Sequence, residues 1–251
     1  MRSGRYAGGA LFLAAAAIVA VTRPSRAQTA GDGFSFHTPI FTWGIHGGFD
    51  RAIAGSDLFS FVTKQLTLDR GDFSSATIGT SLALPVSRFN DIVFDIGYAS
   101  VSRRSEFRKW VDQNNLPIEQ TTSLRRVPVT LGFRHYLSPR GRSIGRFAWI
   151  PAARATYVGF GAGMMKYEFH QAGDFVDFNT LDVFHDEFVS KAWTPVLHAL
   201  AGIEMSLGRV VMVTGEARYT WANGPMSRDY VNFNGIDLSG ISIAAGLAIR
   251  Q

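Results

Sequence analysis

The sequence predicts an all-β fold: an up-and-down antiparallel transmembrane β-barrel of about eight strands. Three observations carry the expectation. Apolar residues alternate with small or polar ones at period two through almost all of residues 41–250. No stretch after the first 27 residues approaches the roughly 18 consecutive apolar residues of a spanning helix. Short and long connections also alternate between the segments, as they do in barrels with short inner turns and long outer loops.

The chain opens on an export signal. Arg2 and Arg5 make a positive start, Ala10 to Val21 an apolar run, and Ser25-Arg26-Ala27 a small-x-small cleavage site. Residues 1–27 are therefore expected to be a cleaved signal peptide, 28–40 a short periplasmic lead and 41–250 the barrel.

The strands follow in order. In 41–50, Phe41, Trp43, Ile45 and Phe49 alternate with Thr42, Gly44, His46 and Asp50. Residues 75–84 set Ile78, Leu82 and Leu84 against Ser75, Thr77 and Ser81, and 92–102 set Ile92, Phe94, Ile96 and Tyr98 against Asp95 and Gly97. In 124–136, Val127, Val129, Leu131 and Phe133 oppose Arg126, Thr130, Gly132 and Arg134. Segment 152–168 alternates Gly159, Gly161 and Gly163 with Val158, Phe160, Ala162 and Met164. Segments 196–207, 210–222 and 237–250 continue the pattern, the last with Ile241, Ile243, Leu247 and Ile249 on one face. Each reaches the roughly 9–11 residues of a tilted membrane strand.

The apolar face is taken to point outward to lipid. The opposite face is mostly Gly, Ser, Thr and Ala, too small and weakly charged for a solvated exterior but suited to a narrow lumen. The competing fold is a soluble lipocalin-like barrel, in which the apolar face turns inward. Long external loops are expected at 51–72, 104–122, 169–192 and 223–236; the link at 138–149 fits the short-and-long rhythm least well.

Charge and composition exclude several classes. The whole chain carries 25 basic and 20 acidic residues, but Arg2, Arg5, Arg23 and Arg26 leave with the signal, so 21 basic and 20 acidic remain. That near-neutral balance gives no ground for nucleic-acid binding. The absence of cysteine rules out disulfides and thiolate metal sites, and no cofactor or metal is expected.

The runs Val127-Pro-Val-Thr-Leu-Gly-Phe-Arg134, Tyr157-Val-Gly-Phe-Gly-Ala-Gly163, Gly202-Ile-Glu204, Gly215-Glu-Ala-Arg-Tyr219 and Leu238-Ser-Gly-Ile-Ser-Ile-Ala-Ala-Gly-Leu247 resemble strands of small bacterial outer-membrane barrels, the OmpA-, OmpX- and OmpW-like group. The resemblance covers roughly residues 40–250 and lies in pattern. It implies an outer-membrane location, outer-membrane lipids and lipopolysaccharide as surroundings, and insertion by the barrel assembly machinery. The last strand ends Ala248-Ile249-Arg250-Gln251, where members of that group usually place a terminal aromatic.

Within the barrel, Asp95, Arg134, Glu204, Glu216 and Arg218 all fall on the inward phase, and buried charges persist when paired. They are expected to form a network that either plugs the lumen or rearranges as a gate. Trp43, Trp149, Trp193, Tyr219 and Trp221 sit near strand ends, as interface girdles do. The basic residues Arg103, Arg104, Arg108, Lys109, Arg125 and Arg126 suggest contact with lipopolysaccharide phosphates. His170 and His185, with the acidic residues Asp174, Asp177, Asp182, Asp186 and Glu187 and with Ser190, show neither a triad spacing nor an EF-hand pattern. The functional expectation is a non-enzymatic structural or surface-interaction protein. Alternatives are a narrow channel for small molecules, apolar ones included, and a lipid A-modifying enzyme.

Overall fold

The computed structural model describes residues 35–145, 148–178 and 180–251; the signal peptide lies outside them. The chain runs β1 (Thr42–Ala52), α1 (Asp57–Gln65), β2 (Ser75–Pro85), β3 (Asn90–Val111), β4 (Pro117–Tyr136), β5 (Gly141–Ile144) and β6 (Ala148–Pro151). It continues β7 (Arg154–Val176), β8 (Val183–Ser206), β9 (Val211–Gly224), β10 (Ile236–Asp237) and β11 (Gly240–Arg250).

Eight of these strands close a ring in the order β1-β2-β3-β4-β7-β8-β9-β11, with every pairing antiparallel and β11 returning to β1. All eight expected strands are present. Closure leaves no open edge, so the main-chain groups of the ring find partners within the wall, which the inside of a membrane demands.

The faces follow the expected phase. Apolar side chains of the wall point out, including Ile45, Ile78, Leu131, Phe160 (66% exposed) and Ile243 (69%), whereas Asp95 (4%) and Arg134 (8%) are buried inside. A lipocalin-like interior is excluded by this polarity. So large an apolar exterior is compatible with lipid and not with water. Among the described residues no helix is long and apolar enough to cross a membrane.

The wall has unequal height. β1, β2 and β11 are 11 residues long, the length a membrane strand needs, while β3, β4, β7 and β8 have 22, 20, 23 and 24. The expected loops at 104–122 and 169–192 are therefore mostly strand: the β3–β4 turn is only 112–116 and the β7–β8 turn 177–182. Extended pairing stands these two hairpins above the low rim as one tall, four-stranded face.

The connection from the low rim folds across the mouth and packs on that face. Leu58, Phe59, Val62 and Leu66 recur at near-helical spacing, with Asp57 in the first turn and Lys64 in the last, each favourable to the helix dipole. Their buried side of α1 joins Phe73, Leu124, Tyr167, Phe169 and Tyr230 in the main apolar core, which fills the outer half of the lumen. Arg108 fixes the end of this segment, donating Nε to the Leu66 carbonyl at 2.6 Å and an Nη2 hydrogen to that of Leu68 at 3.1 Å. At the opposite end, the link at 138–149 departs from a simple turn because it holds most of the β5–β6 hairpin. The lead is tied there, with the backbones of Ser35 and Trp149 exchanging two hydrogen bonds of 2.8 Å.

Candidate functional site

Below the apolar core the lumen is charged. Arg218, on β9, donates to Asp95 of β3 at 2.9 Å and makes two bonds to Glu216, of 2.8 and 3.1 Å. Arg134 of β4 stands 3.3 Å from Glu216 and 3.6 Å from Glu204 of β8. All five residues expected to form an interior network are thus joined in one chain of ion pairs. The strands bring them together because an eight-stranded ring is only wide enough for side chains to meet across it.

Residues absent from the expectation complete the set. The Tyr136 hydroxyl donates to Glu204 at 2.7 Å and stands 3.2 Å from Asp91, and Arg140 binds Asp91 at 2.9 Å. Tyr157 donates to Glu216 at 3.1 Å and lies under the Arg134 guanidinium, 4.3 Å from its carbon to the ring centre. His46 reaches to 3.7 Å from Asp95. Nearer the outer end, Arg126 and Asp50 are in ion-pair contact at 2.9 Å. Arg126 is therefore turned into the lumen and is not one of an outward basic set. Its place on the inward phase with Thr130 and Arg134 was the available signal.

Glycines make the room. Gly202 pairs with Tyr157 across β7 and β8, and a Cβ there would collide with the tyrosine ring; one at Gly161 would collide with the His198 imidazole. The alternate glycines of β7 thus serve a crowded interior. The spaces left between the layers are small, about 60 Å³ around Asp95, Arg126 and His198 and about 30 Å³ beside Arg134 and Tyr157.

On the outside, Trp43 lies at the short-turn end of the belt and Trp193 and Trp221 at the tall end, all three outward and half exposed, with the Tyr219 ring tilted against Trp221 at 4.4 Å between centres. Trp149 departs from the expected girdle. It is buried on β6 at the mouth, 5.5 Å beneath the Arg250 guanidinium, because the β5–β6 hairpin folds it inward.

The tall face carries two further features. Arg103, Arg104, Arg108 and Arg125 stand 3.7–3.9 Å from Asp72, Glu119, Asp69 and Glu168 respectively, all in partly exposed pairs. His170 meets Glu187 at 2.8 Å and His185 meets Asp174 at 2.9 Å, while the Ser190 hydroxyl bonds Tyr167 at 3.0 Å. Between α1, the two hairpins and the 225–235 connection lies a cleft of about 200 Å³. Phe61, Phe175, Phe178, Phe184, Phe188 and Phe233 line it. Among the described residues no cluster of His, Cys, Asp and Glu is arranged to hold a metal ion.

A closed ring of eight antiparallel strands, apolar outside and charged within, is an outer-membrane-type β-barrel. Comparison with family models gives no match, and comparison with curated proteins gives none. Among solved structures the chain is similar to Neisserial surface protein A at 11% identity, over 84% of this chain and 96% of that one, with a TM-score of 0.45. It is similar to the outer membrane protein OprG from Pseudomonas aeruginosa at 13% identity, over 86% and 99%, with a TM-score of 0.47. A third similar structure is Ail, the attachment invasion locus protein of Yersinia pestis, at 12% identity over 82% and 97%, with a TM-score of 0.39. The class assignment rests on the ring and its belt rather than on these likenesses.

Proposed function

We propose that this chain is a non-enzymatic outer-membrane protein whose barrel is a sealed anchor for a rigid external face presented to a partner. The observation that carries the reading is the Arg218–Asp95 bridge across the lumen, with the apolar core stacked above it. The voids of about 60 and 30 Å³ beside it hold no more than a water or two. Such a lumen serves stability better than transport. The paired tall hairpins supply a surface far more ordered than free loops. Outer-membrane lipids, lipopolysaccharide and the barrel assembly machinery are the surroundings this reading assigns. The exposed arginine pairs on the tall face are weak enough to be shared with lipid phosphates.

The test is single-channel recording in planar bilayers. The wild-type chain is expected to give no reproducible steps, and Arg218→Ala none either, since the apolar core stays in place. Steps appearing in that variant would show a gate instead of a plug.

The phenylalanine cleft favours a second reading, capture of a small apolar molecule at the outer end. A fluorescent naphthylamine probe separates the two. Saturable enhancement lost in Phe178→Ser supports capture, and a flat response removes it. Lipid A of expressing cells should keep an unchanged mass spectrum; a modified one would replace both readings with an enzyme.

A further inference from the structure

The mouth that carries the short turns holds a cavity of about 470 Å³, within the usual range of small-molecule sites. Five separate parts of the chain converge on it: the lead at Thr38, the β2–β3 turn at Ser87 and Arg88, β5 at Ser143, β8 at Glu204 and the end of β11 at Arg250. Arg140 and Trp149 complete its wall.

The charges here do not balance. Of the two nearby side-chain carboxylates, Asp91 is bound by Arg140 at 2.9 Å, and Glu204 by Arg134 and the Tyr136 hydroxyl. Arg88 and Arg250 are left without an ion-pair partner among the described residues. Arg250 is the informative one. The residue is 6% exposed; among the described residues its guanidinium makes one hydrogen bond, to the Ser206 hydroxyl at 2.7 Å, and its Nε has no partner. The Glu204 carboxylate acts on this guanidinium but is already bound by Arg134 and Tyr136, so Arg250 is out of water without an anionic partner of its own, and a further anion is the group that offsets that cost. Trp149 holds the group in place from beneath at 5.5 Å. The hydroxyls of Thr38, Ser87 and Ser143 offer donors around the same space.

We infer that this mouth is a binding site for a small polyanion carrying phosphate or carboxylate groups, with Arg250 as the buried anchor and Arg88 as the exposed second contact. Guanidinium pairs with such groups bidentately, and two cations facing one cavity favour a ligand with two charged ends. The inference is independent of what the outer face binds.

The test is isothermal titration of the full chain, folded in zwitterionic micelles at low salt, with inorganic pyrophosphate and with citrate. Saturable binding of at least one is expected, weakened at least tenfold in Arg250→Gln and severalfold in Arg88→Gln, and unchanged in Arg51→Gln at the outer end of β1. Heat-modifiable gel mobility checks that each variant is folded. Should Arg250→Gln fail that check, Arg88→Gln carries the test, because its side chain supports no other element. Repeating the titration in nanodiscs tells a soluble ligand from a lipid headgroup. Equal binding in phosphatidylcholine and phosphatidylglycerol discs identifies a soluble anion, and loss of binding only in the latter identifies the headgroup as occupant. Absence of saturable binding for both probes, or affinity indifferent to both substitutions, overturns the inference.

Discussion

Arg218 and Asp95 stand four strands apart in a ring of eight, on diametrically opposed walls, and their side chains meet at 2.9 Å. One guanidinium thus spans the lumen and at the same time holds Glu216 on its own strand at 2.8 Å. Removing it leaves the buried Asp95 and the part-buried Glu216 without their main partner. Breaking a buried pair from one side costs about 3–5 kcal/mol. Arg218→Ala is therefore expected to lower the unfolding free energy of the refolded barrel, read from urea titration by tryptophan fluorescence, by that order. Adding Asp95→Asn should recover part of the loss, because the two sites are coupled. Additive effects of the two substitutions would mean that the bridge holds nothing together.

The Tyr157–Gly202 pairing gives a second expectation. A methyl group at Gly202 has to displace the tyrosine ring, and with it the bonds to Glu216 and the stacking on Arg134. Overpacking of this kind costs about 1–3 kcal/mol. Gly202→Ala should shift the unfolding midpoint accordingly, while Gly208→Ala, at a turn with open space around it, should not. Equal behaviour of the two variants would remove the packing argument.

Arg108 holds the end of the α1 segment through two backbone carbonyls, and hydrogen bonds from a charged donor contribute about 1.5–3 kcal/mol. Arg108→Ala is expected to expose the 57–73 segment to limited proteolysis while the boiled and unboiled forms still migrate differently. Protection as complete as in the wild type would assign the anchoring to the apolar face of α1 alone.

The sequence made the membrane part legible and the outer part opaque, for one physical reason. Between Thr42 and Arg250 each membrane strand separates lipid from lumen, so its two faces differ in polarity and the period of two stands out. Above the membrane that contrast fades. Arg104 to Lys109 reads as part of a charged loop, although residues 104–106 pair with Glu119 to Thr121 as regular strand. α1 was hidden because nine residues inside an expected loop draw no attention, although Leu58, Val62 and Leu66 keep helical spacing. The interior charges were found because a charged residue on a small-residue face is conspicuous. Tyr136 and Tyr157 were not, since aromatic residues near strand ends suit a girdle equally well.

Extended hairpins have a measurable consequence. Amides of residues 102–106 and 119–123 are paired across β3 and β4, whereas the turn at 112–116 is held mainly by Asp112, whose Oδ1 accepts the amides of Asn114 and Leu116 at 2.8 and 2.7 Å. Hydrogen exchange in detergent should be slow in the first two stretches and fast at 113–115. Uniformly fast exchange from 102 to 123 would return this region to a free loop.

Tyr230 couples the connection after β9 to the tall face, and it does so in a pH-dependent way. Its hydroxyl has the Gln171 Oε1 at 3.2 Å and the Phe188 carbonyl at 3.3 Å as acceptors for its one hydrogen, and its ring packs 5.6 Å from Phe169. Burial pushes the phenol above its ordinary value of 10, and the neighbouring Asp229 pushes the same way. A raised folded-state value means that the stabilisation is complete below pH 10 and is lost as pH rises through the folded value, because the unfolded state loses its proton first. The 225–239 connection should therefore stay resistant to protease at pH 8 and become cleavable on the alkaline side of 10, with the barrel strands intact. Tyr230→Phe keeps the ring and removes the titrating group. It is expected to lose about 0.5–1.5 kcal/mol at neutral pH with the hydrogen bonds and to cleave with a much flatter alkaline dependence. An unchanged alkaline profile in that variant would place the pH sensitivity on another group.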